Sequence, residues 1–72
     1  MSKSVIIDIE KVKRFAMAKV WTFAELARQS KLSDATLYSL QNGRRKASLM
    51  TVQKIALALG VEPSEIVKEE QE

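Results

Sequence analysis

Two long helices are predicted by the spacing of apolar residues along the 72-residue chain. After the capping residue Asp8, an apolar stripe predicts a helix over about 9–19. A second stripe after Ser48 predicts a helix over about 49–59, which Gly60 ends. The stripe positions are Val12, Phe15, Ala16 and Val20 in the first helix, and Leu49, Val52, Ile55, Ala56 and Leu59 in the later one.

Two shorter helical patterns lie between them, over 22–43, separated by a break at 30–32. Each is about two turns long and has a narrow apolar stripe, which is typical of a helix-turn-helix. Ser33 is a good cap for the second helix, predicted over 33–41. The apolar positions are Phe23, Leu26 and Ala27 in the first pattern, and Leu37 and Leu40 in the second.

The outer face of helix 33–41 is made almost entirely of small or polar residues. A helix with small, hydrogen-bonding side chains on its exposed face can enter the major groove of DNA, which is about 12 Å wide. We therefore expect this helix to read base edges. The residues off the apolar stripe are Ser33, Asp34, Ala35, Thr36, Tyr38 and Ser39.

The two ends of the chain complete a predicted compact all-α domain of five helices. Pro63 suits the first turn of a fifth, short helix. The β-branched cluster within 1–7 allows a disordered start, an arm packed on the domain, or a strand that pairs with a second subunit. We expect an arm or short strand at 1–7, a helix-turn-helix domain over 8–67, and an acidic tail over 68–72.

Composition excludes several classes of protein. The chain has no cysteine and no histidine, which rules out disulfides, thiolate metal sites and the commonest general base. No catalytic site, metal or other cofactor is therefore expected, and an enzyme is disfavoured. No run of apolar residues is nearly long enough to cross a membrane, and nothing resembles an export signal. We expect a cytoplasmic protein.

Charge is unevenly distributed. Residues 1–61 contain eleven Lys/Arg and four Asp/Glu, a net +7, whereas residues 62–72 contain one Lys and five Glu, a net −4. A basic body with an acidic tail indicates a polyanionic partner for the body. Three consecutive cations, Arg44, Arg45 and Lys46, directly follow the proposed reading helix. We expect this loop, 43–48, to contact phosphates, although a solvated loop is the alternative.

These residues together resemble the Cro/phage-repressor helix-turn-helix family, also called Xre-type. The resemblance covers about 12–67 and rests on an ordered series of matches. These are Leu26-Ala27, then Leu32, Ser33, Leu37 and Leu40, then Asn42-Gly43 before basic residues, then Ser48-Leu49, and finally Ile55, Ala56, Ala58, Leu59, Gly60 and Val61. The resemblance implies a lambda-repressor-like domain of five helices that binds operator DNA, usually as a dimer, to control transcription.

The resemblance also implies roles for individual residues. The base-reading positions are Asp34, Ala35, Tyr38 and Ser39. The phosphate-binding positions are Thr22 and Phe23 at the start of helix 2, Ser33 at the start of helix 3, and Arg44, Arg45 and Lys46 after it.

The chain departs from the family pattern in three ways. Phe23 replaces a glutamine that touches a phosphate. Ala16 and Gln41 replace an arginine–glutamate pair, so both charges are lost together. Lys31 replaces the glycine of the turn, and it must take a left-handed conformation unless the turn differs.

We therefore predict a transcriptional regulator that binds double-stranded DNA and acts as a repressor. We expect it to work as a homodimer and to need no small-molecule ligand. The candidate dimer surfaces are 5–7 and the exposed side of helices 4 and 5. The alternative is a protein-interaction module, such as an antitoxin or anti-regulator, which Phe23 and Tyr38 on an otherwise polar face favour.

Overall fold

The structure, a computed structural model, describes residues 4–42 and 46–68. The described part of the chain contains no helix with the length and apolar character needed to cross a bilayer. In chain order the elements are β1 (Ser4–Ile6), α1 (Ile9–Ala18), α2 (Phe23–Ser30), α3 (Asp34–Gln41), β2 (Lys46–Ser48), α4 (Leu49–Leu59) and a 3-10 helix (Pro63–Ile66).

The predicted all-α domain of five helices is correct only in part. Within the described residues, the four α-helices are joined by an antiparallel pair of strands, β1 and β2. The predicted fifth helix is a single 3-10 turn, in which the Glu65 N–H donates to the Glu62 carbonyl at 2.9 Å. It ends after one turn because the next residue, Val67, is extended and forms a bridge with Ile7.

The N-terminal segment pairs with its own chain. Val5 lies opposite Ala47 in β2. On the other side, the Lys68 N–H donates to the Ile6 carbonyl at 2.8 Å, and Ile7 is fully buried. Backbone groups on both edges of the strand therefore have partners, which removes the need for a second subunit. Of the three alternatives for this segment, the structure contains the packed arm, in the form of a strand.

The predicted helix starts at Asp8, Ser33 and Ser48 are confirmed. Each of these side chains accepts a hydrogen bond from the backbone N–H three residues later, at 3.1–3.3 Å. Thr22 does the same for α2, at 3.1 Å. Each cap satisfies one of the N–H groups that the first turn of a helix leaves without an acceptor.

Three helices end on a residue in the left-handed region of backbone space. These residues are Val20 after α1 (φ 59°), Lys31 after α2 (φ 60°) and Gly60 after α4 (φ 74°). The prediction for Lys31 is confirmed. The prediction that Val20 belongs to the buried stripe is wrong, because α1 ends at Ala18 and the left-handed turn leaves Val20 90% exposed.

A single core fills the space between the helices and the strands. Leu49, which was predicted in the α4 stripe, lies at the first position of that helix and is exposed; the rest of the stripe is buried. Trp21 is half-buried and packs against the core, with the Lys19 ammonium 5.3 Å from its ring centroid. The buried apolar residues are Ile7, Val12, Ala16, Leu26, Ala27, Leu37, Leu40, Ala47, Val52, Ile55, Ala56, Leu59 and Ile66.

Candidate nucleic-acid interface

A tight turn joins α2 to α3. The Lys31 N–H donates to the Arg28 carbonyl at 3.1 Å, and the Leu32 N–H donates to the Ala27 carbonyl at 2.9 Å. Ser30 is buried, and its hydroxyl donates to the Leu26 carbonyl at 2.7 Å, so burial leaves no unsatisfied group. The turn therefore fixes α3 against α2 through backbone geometry and buried apolar contacts.

α3 buries one side and exposes the other. Leu37 and Leu40 are 2% and 3% exposed, whereas Asp34 and Ala35 are exposed and Tyr38 is 67% exposed. Ser39, the fourth predicted base-reading residue, is half-buried. The structure thus places three of the four predicted base-reading side chains on an open surface of α3 and the fourth at its margin.

Three of the predicted phosphate-binding residues are exposed in the structure. Thr22 and Ser33 are the exposed caps of α2 and α3, so each lies where the helix dipole is positive and backbone N–H groups point outward. Lys46 is exposed at the start of β2. Arg44 and Arg45 lie outside the described residues, so the structure does not place them.

A polar cleft between α3 and the start of α4 was not predicted from the sequence. It has a volume of about 210 Å³, and Lys46 forms part of its lining. The Ser48 hydroxyl donates to the Thr51 hydroxyl at 3.0 Å on one side, and the Thr36 hydroxyl is 2.9 Å from that of Ser33 on the other. The repeated spacing of a capping serine followed three residues later by threonine was the signal in the sequence. The lining residues are Thr36, Leu40, Lys46, Ala47, Ser48 and Thr51.

An apolar recess lies on the other side of α3, beside the start of α2. Phe23, which was predicted to bind phosphate, is half-buried here and packs against the core. Its side chain has no donor, so only its backbone N–H can serve a phosphate. We call this recess the aromatic notch; it has a volume of about 260 Å³ and is lined by Phe23, Ala24, Asp34, Leu37, Tyr38 and Gln41.

A second recess adjoins the aromatic notch, with Phe23 and Gln41 lining both. It has a volume of about 210 Å³, and Ala16 lies in its wall. Ala16 and Gln41, the two positions where the family pattern has an ion pair, are therefore brought together. The small and neutral residues leave a recess between α1 and α3 in place of the two charged side chains.

Comparison with known proteins settles the family. Residues 11–72 match the profile of the Cro/C1-type HTH DNA-binding domain. The chain belongs to this family.

Solved structures share the fold. The restriction-modification controller protein C.AhdI from Aeromonas hydrophila is 30% identical, with a TM-score of 0.70, over 78% of this chain and 85% of that chain. Two structures of PhpD, one native with cadmium atoms and one complexed with cadmium and hydroethylphosphonate, are 25% identical, with a TM-score of 0.76. They cover 93% of this chain but only 14% of PhpD.

No curated protein matches the sequence. The resemblance found in the sequence is confirmed, and this Cro/C1-type domain is a DNA-binding domain of the transcription-regulator class.

Besides Asp34 on α3, an acidic side chain on α2 borders the interface of this Cro/C1-type domain. Glu25 accepts from the Gln29 amide at 2.7 Å and pairs with the Arg28 guanidinium. The hydrogen bond from Gln29, followed by that from Arg28, lowers the pKa of Glu25 from 4.5. Arg28 is therefore partly neutralised within α2, which makes it a weaker candidate for phosphate contact than Lys46.

Proposed function

We propose that this chain is a sequence-specific regulator of transcription that binds double-stranded DNA as a homodimer and acts as a repressor. The observation that carries the proposal is the exposed face of α3, flanked by the capped N-termini of α2 and α4. Family membership supports DNA binding, and C.AhdI is described as a controller protein. The proposed activity is binding alone, without catalysis.

Base recognition is proposed for the exposed side of α3. The Asp34 carboxylate accepts from the N4 amino group of cytosine, and the Ala35 methyl group contacts a thymine methyl. Ser39 hydrogen bonds at the margin, and Tyr38 contributes a hydrogen bond or an apolar contact. Because the Asp34 carboxylate repels phosphate, it is useful only against a base edge.

Phosphate binding is proposed on both sides of α3. On one side, the N-terminus of α2 at Thr22 offers backbone N–H groups. On the other, the polar cleft offers Lys46 and the hydroxyls of Ser48 and Thr51, next to Arg44 and Arg45 in the chain. Each phosphate that is neutralised lowers the slope of log K against log salt by about 0.9.

Dimerisation is proposed through the outer face of α4. Met50 and Leu57 are seven residues apart, hence on one side of the helix, and are 63% and 83% exposed. The other surface considered from the sequence, 5–7, already pairs within the chain. Two subunits would then read half-sites one helical turn apart, about 34–36 Å.

The test is selection of the purified protein on a pool of random-sequence duplexes at moderate salt, followed by a salt titration on the winner. We expect an enriched inverted repeat and a steep salt slope. Lys46→Ala should reduce the steepness of that slope by about 0.9 per subunit, hence about 1.8 for the bound dimer, whereas Lys68→Ala, beyond the 3-10 helix, should leave it unchanged. In sedimentation equilibrium, Leu57→Glu should dissociate the dimer, whereas Met17→Glu, equally exposed on α1, should not.

A protein-interaction module is the second candidate, favoured by the exposed apolar surface at Tyr38 and Met17, which are 67% and 74% exposed. Absence of any enriched duplex, with only weak salt-sensitive binding, would contradict the DNA proposal and favour this one.

A further inference from the structure

We infer that the aromatic notch receives the C5-methyl group of a thymine, while Asp34 at its rim accepts a hydrogen bond from a neighbouring cytosine. This inference rests on the proposed function and specifies which base step the operator contains. It assigns a specificity role to the side chain of Phe23, which has no polar group for hydrogen bonds to DNA.

The shape of the notch suits a small apolar group. Leu37, 2% exposed, and Ala24 are among its lining residues, and the rings of Phe23 and Tyr38 line it too. The volume of about 260 Å³ is far larger than the 30 Å³ or so that a water takes in the liquid, which is close to that of a methyl group. A methyl group can therefore enter without displacement of the protein.

The position of the notch decides its occupant. Asp34, Tyr38 and Gln41 follow one another at spacings of four and three residues, so they share the exposed side of α3. When α3 enters the major groove, this side meets base edges. The apolar group that DNA presents there is the thymine methyl, which aromatic and small apolar side chains contact.

Asp34 then specifies the neighbouring base. Asp34 lines the same notch, so we expect its carboxylate to face a base next to the one whose methyl group is bound; consecutive bases of a strand are about 3.4 Å apart. Among base edges in the major groove, an isolated amino donor is offered by cytosine N4. A thymine beside a cytosine therefore matches an apolar recess with a carboxylate at its rim.

The experiment measures affinity for the selected operator in which each thymine is replaced, one at a time, by deoxyuridine. This change removes only the C5-methyl group. We expect one position in each half-site to lose about fourfold in affinity, the value for one buried methyl, with smaller effects elsewhere. Loss of affinity at that position should coincide with an adjacent cytosine.

Two variants of Tyr38 identify the notch as the contact. Tyr38→Ala removes a wall from an exposed position and should abolish the difference between thymine and deoxyuridine. Tyr38→Phe keeps the ring, without the hydroxyl, and should retain the difference. Circular dichroism of both variants checks the fold.

Three results would overturn the inference. If the operator is bound but no deoxyuridine position matters, the notch is not a methyl site, although the proposed function stands. If the fourfold loss persists in Tyr38→Ala, another contact reads the methyl. If no duplex is enriched at all, the proposed function fails as well, and the notch becomes a surface for a protein partner.

Discussion

The ends of α2 and α4 have the same pattern of backbone hydrogen bonds. They differ in the residue that adopts the left-handed conformation directly after the helix, which is Lys31 after α2 and Gly60 after α4. After α2, the N–H groups of Lys31 and Leu32 donate to carbonyls three and five residues back, at 3.1 and 2.9 Å. After α4, Gly60 and Val61 do the same, at 3.2 and 3.0 Å. Both ends are Schellman motifs, in which the turning residue is left-handed.

The end of α1 repeats the motif with the residue least suited to it. The Val20 N–H donates to Met17 at 2.8 Å, and the Trp21 N–H to Ala16 at 2.9 Å. Glycine adopts the left-handed region freely, other residues at a cost of about 1–2 kcal/mol, and a β-branched residue is a real outlier there. The same left-handed turn is thus formed by three residues, glycine, lysine and valine, for which this conformation has very different free energies.

The difference teaches that packing on either side of the turn, and not glycine, fixes the motif. In each motif, the carbonyl that accepts the hydrogen bond spanning five residues belongs to a buried alanine. The donor of that bond is the residue after the turn, whose apolar side chain is half-buried against the core. The two strained ends border the candidate interface, since Lys31 lies in the helix-turn-helix and Met17 and Trp21 line the second recess. The three alanine and apolar pairs are Ala16 with Trp21, Ala27 with Leu32, and Ala56 with Val61.

The largest effect is expected when valine, the residue least suited to the left-handed conformation, replaces the glycine after α4. Gly60→Val should lower the free energy of unfolding by about 2 kcal/mol, since valine must then take a φ of 74°. A clash is not the reason, because a Cβ at Gly60 would meet no atom within 4 Å. Urea denaturation measures the change, and Gly60→Asn should lose much less. Equal stability of Gly60→Val and the parent would show that packing relieves the strain.

The reverse change at α1 should stabilise the domain. Val20→Gly should raise the free energy of unfolding by about 1 kcal/mol, the relief of strain less the chain entropy of glycine. The side chain is 90% exposed, so little packing is lost. Val20→Ala removes only the branching, and its smaller gain in thermal melting is the matched control. A drop in melting temperature with Val20→Gly would mean that the valine makes a favourable contact.

Lys31 separates stability from binding. Lys31→Gly should raise the free energy of unfolding by roughly 0.5 kcal/mol, because the strain at φ 60° disappears. If Lys31 contacts a phosphate, the same variant should bind the operator more weakly, with the salt slope reduced by about 0.9 per subunit of the dimer. Lys31→Arg keeps the charge and should keep the slope. A variant that is more stable and binds equally well would exclude a role for this cation in DNA binding.

These helix ends also show how far the sequence could predict the structure. Gly60 is a strong local signal, and the left-handed Lys31 followed from the family pattern. Val20 was misplaced because it continues the apolar spacing of α1, and only the tertiary structure shows that the helix has ended. A short strand at 1–7 was among the expectations, but β2 and its pairing with β1 were not predicted, because the pairing joins residues about forty positions apart, which local patterns do not contain.

The candidate interface was predicted in a similarly uneven way. The exposed side of α3 followed from its apolar period, since Leu37 and Leu40 fix which side is buried. The aromatic notch could not be predicted, because it exists only where the first turn of α2 meets α3. Phe23 and Tyr38 stand out in the sequence as aromatic residues on a polar face, but their common recess depends on the angle between two helices.

The smallest expected effect concerns the residue that supports the end of α2. Arg28 offers its carbonyl to Lys31, and its side chain pairs with Glu25, whereas the equivalent residue of α4, Leu57, is an exposed apolar side chain. The pKa of Glu25 is lowered in the folded state, so its contribution is complete above 4.5 and is lost as the pH falls through the folded value. The stability difference between the parent and Glu25→Gln, from urea melts, should therefore shrink between pH 7 and pH 3. A difference that is constant with pH would show that the ionised carboxylate does not support this turn.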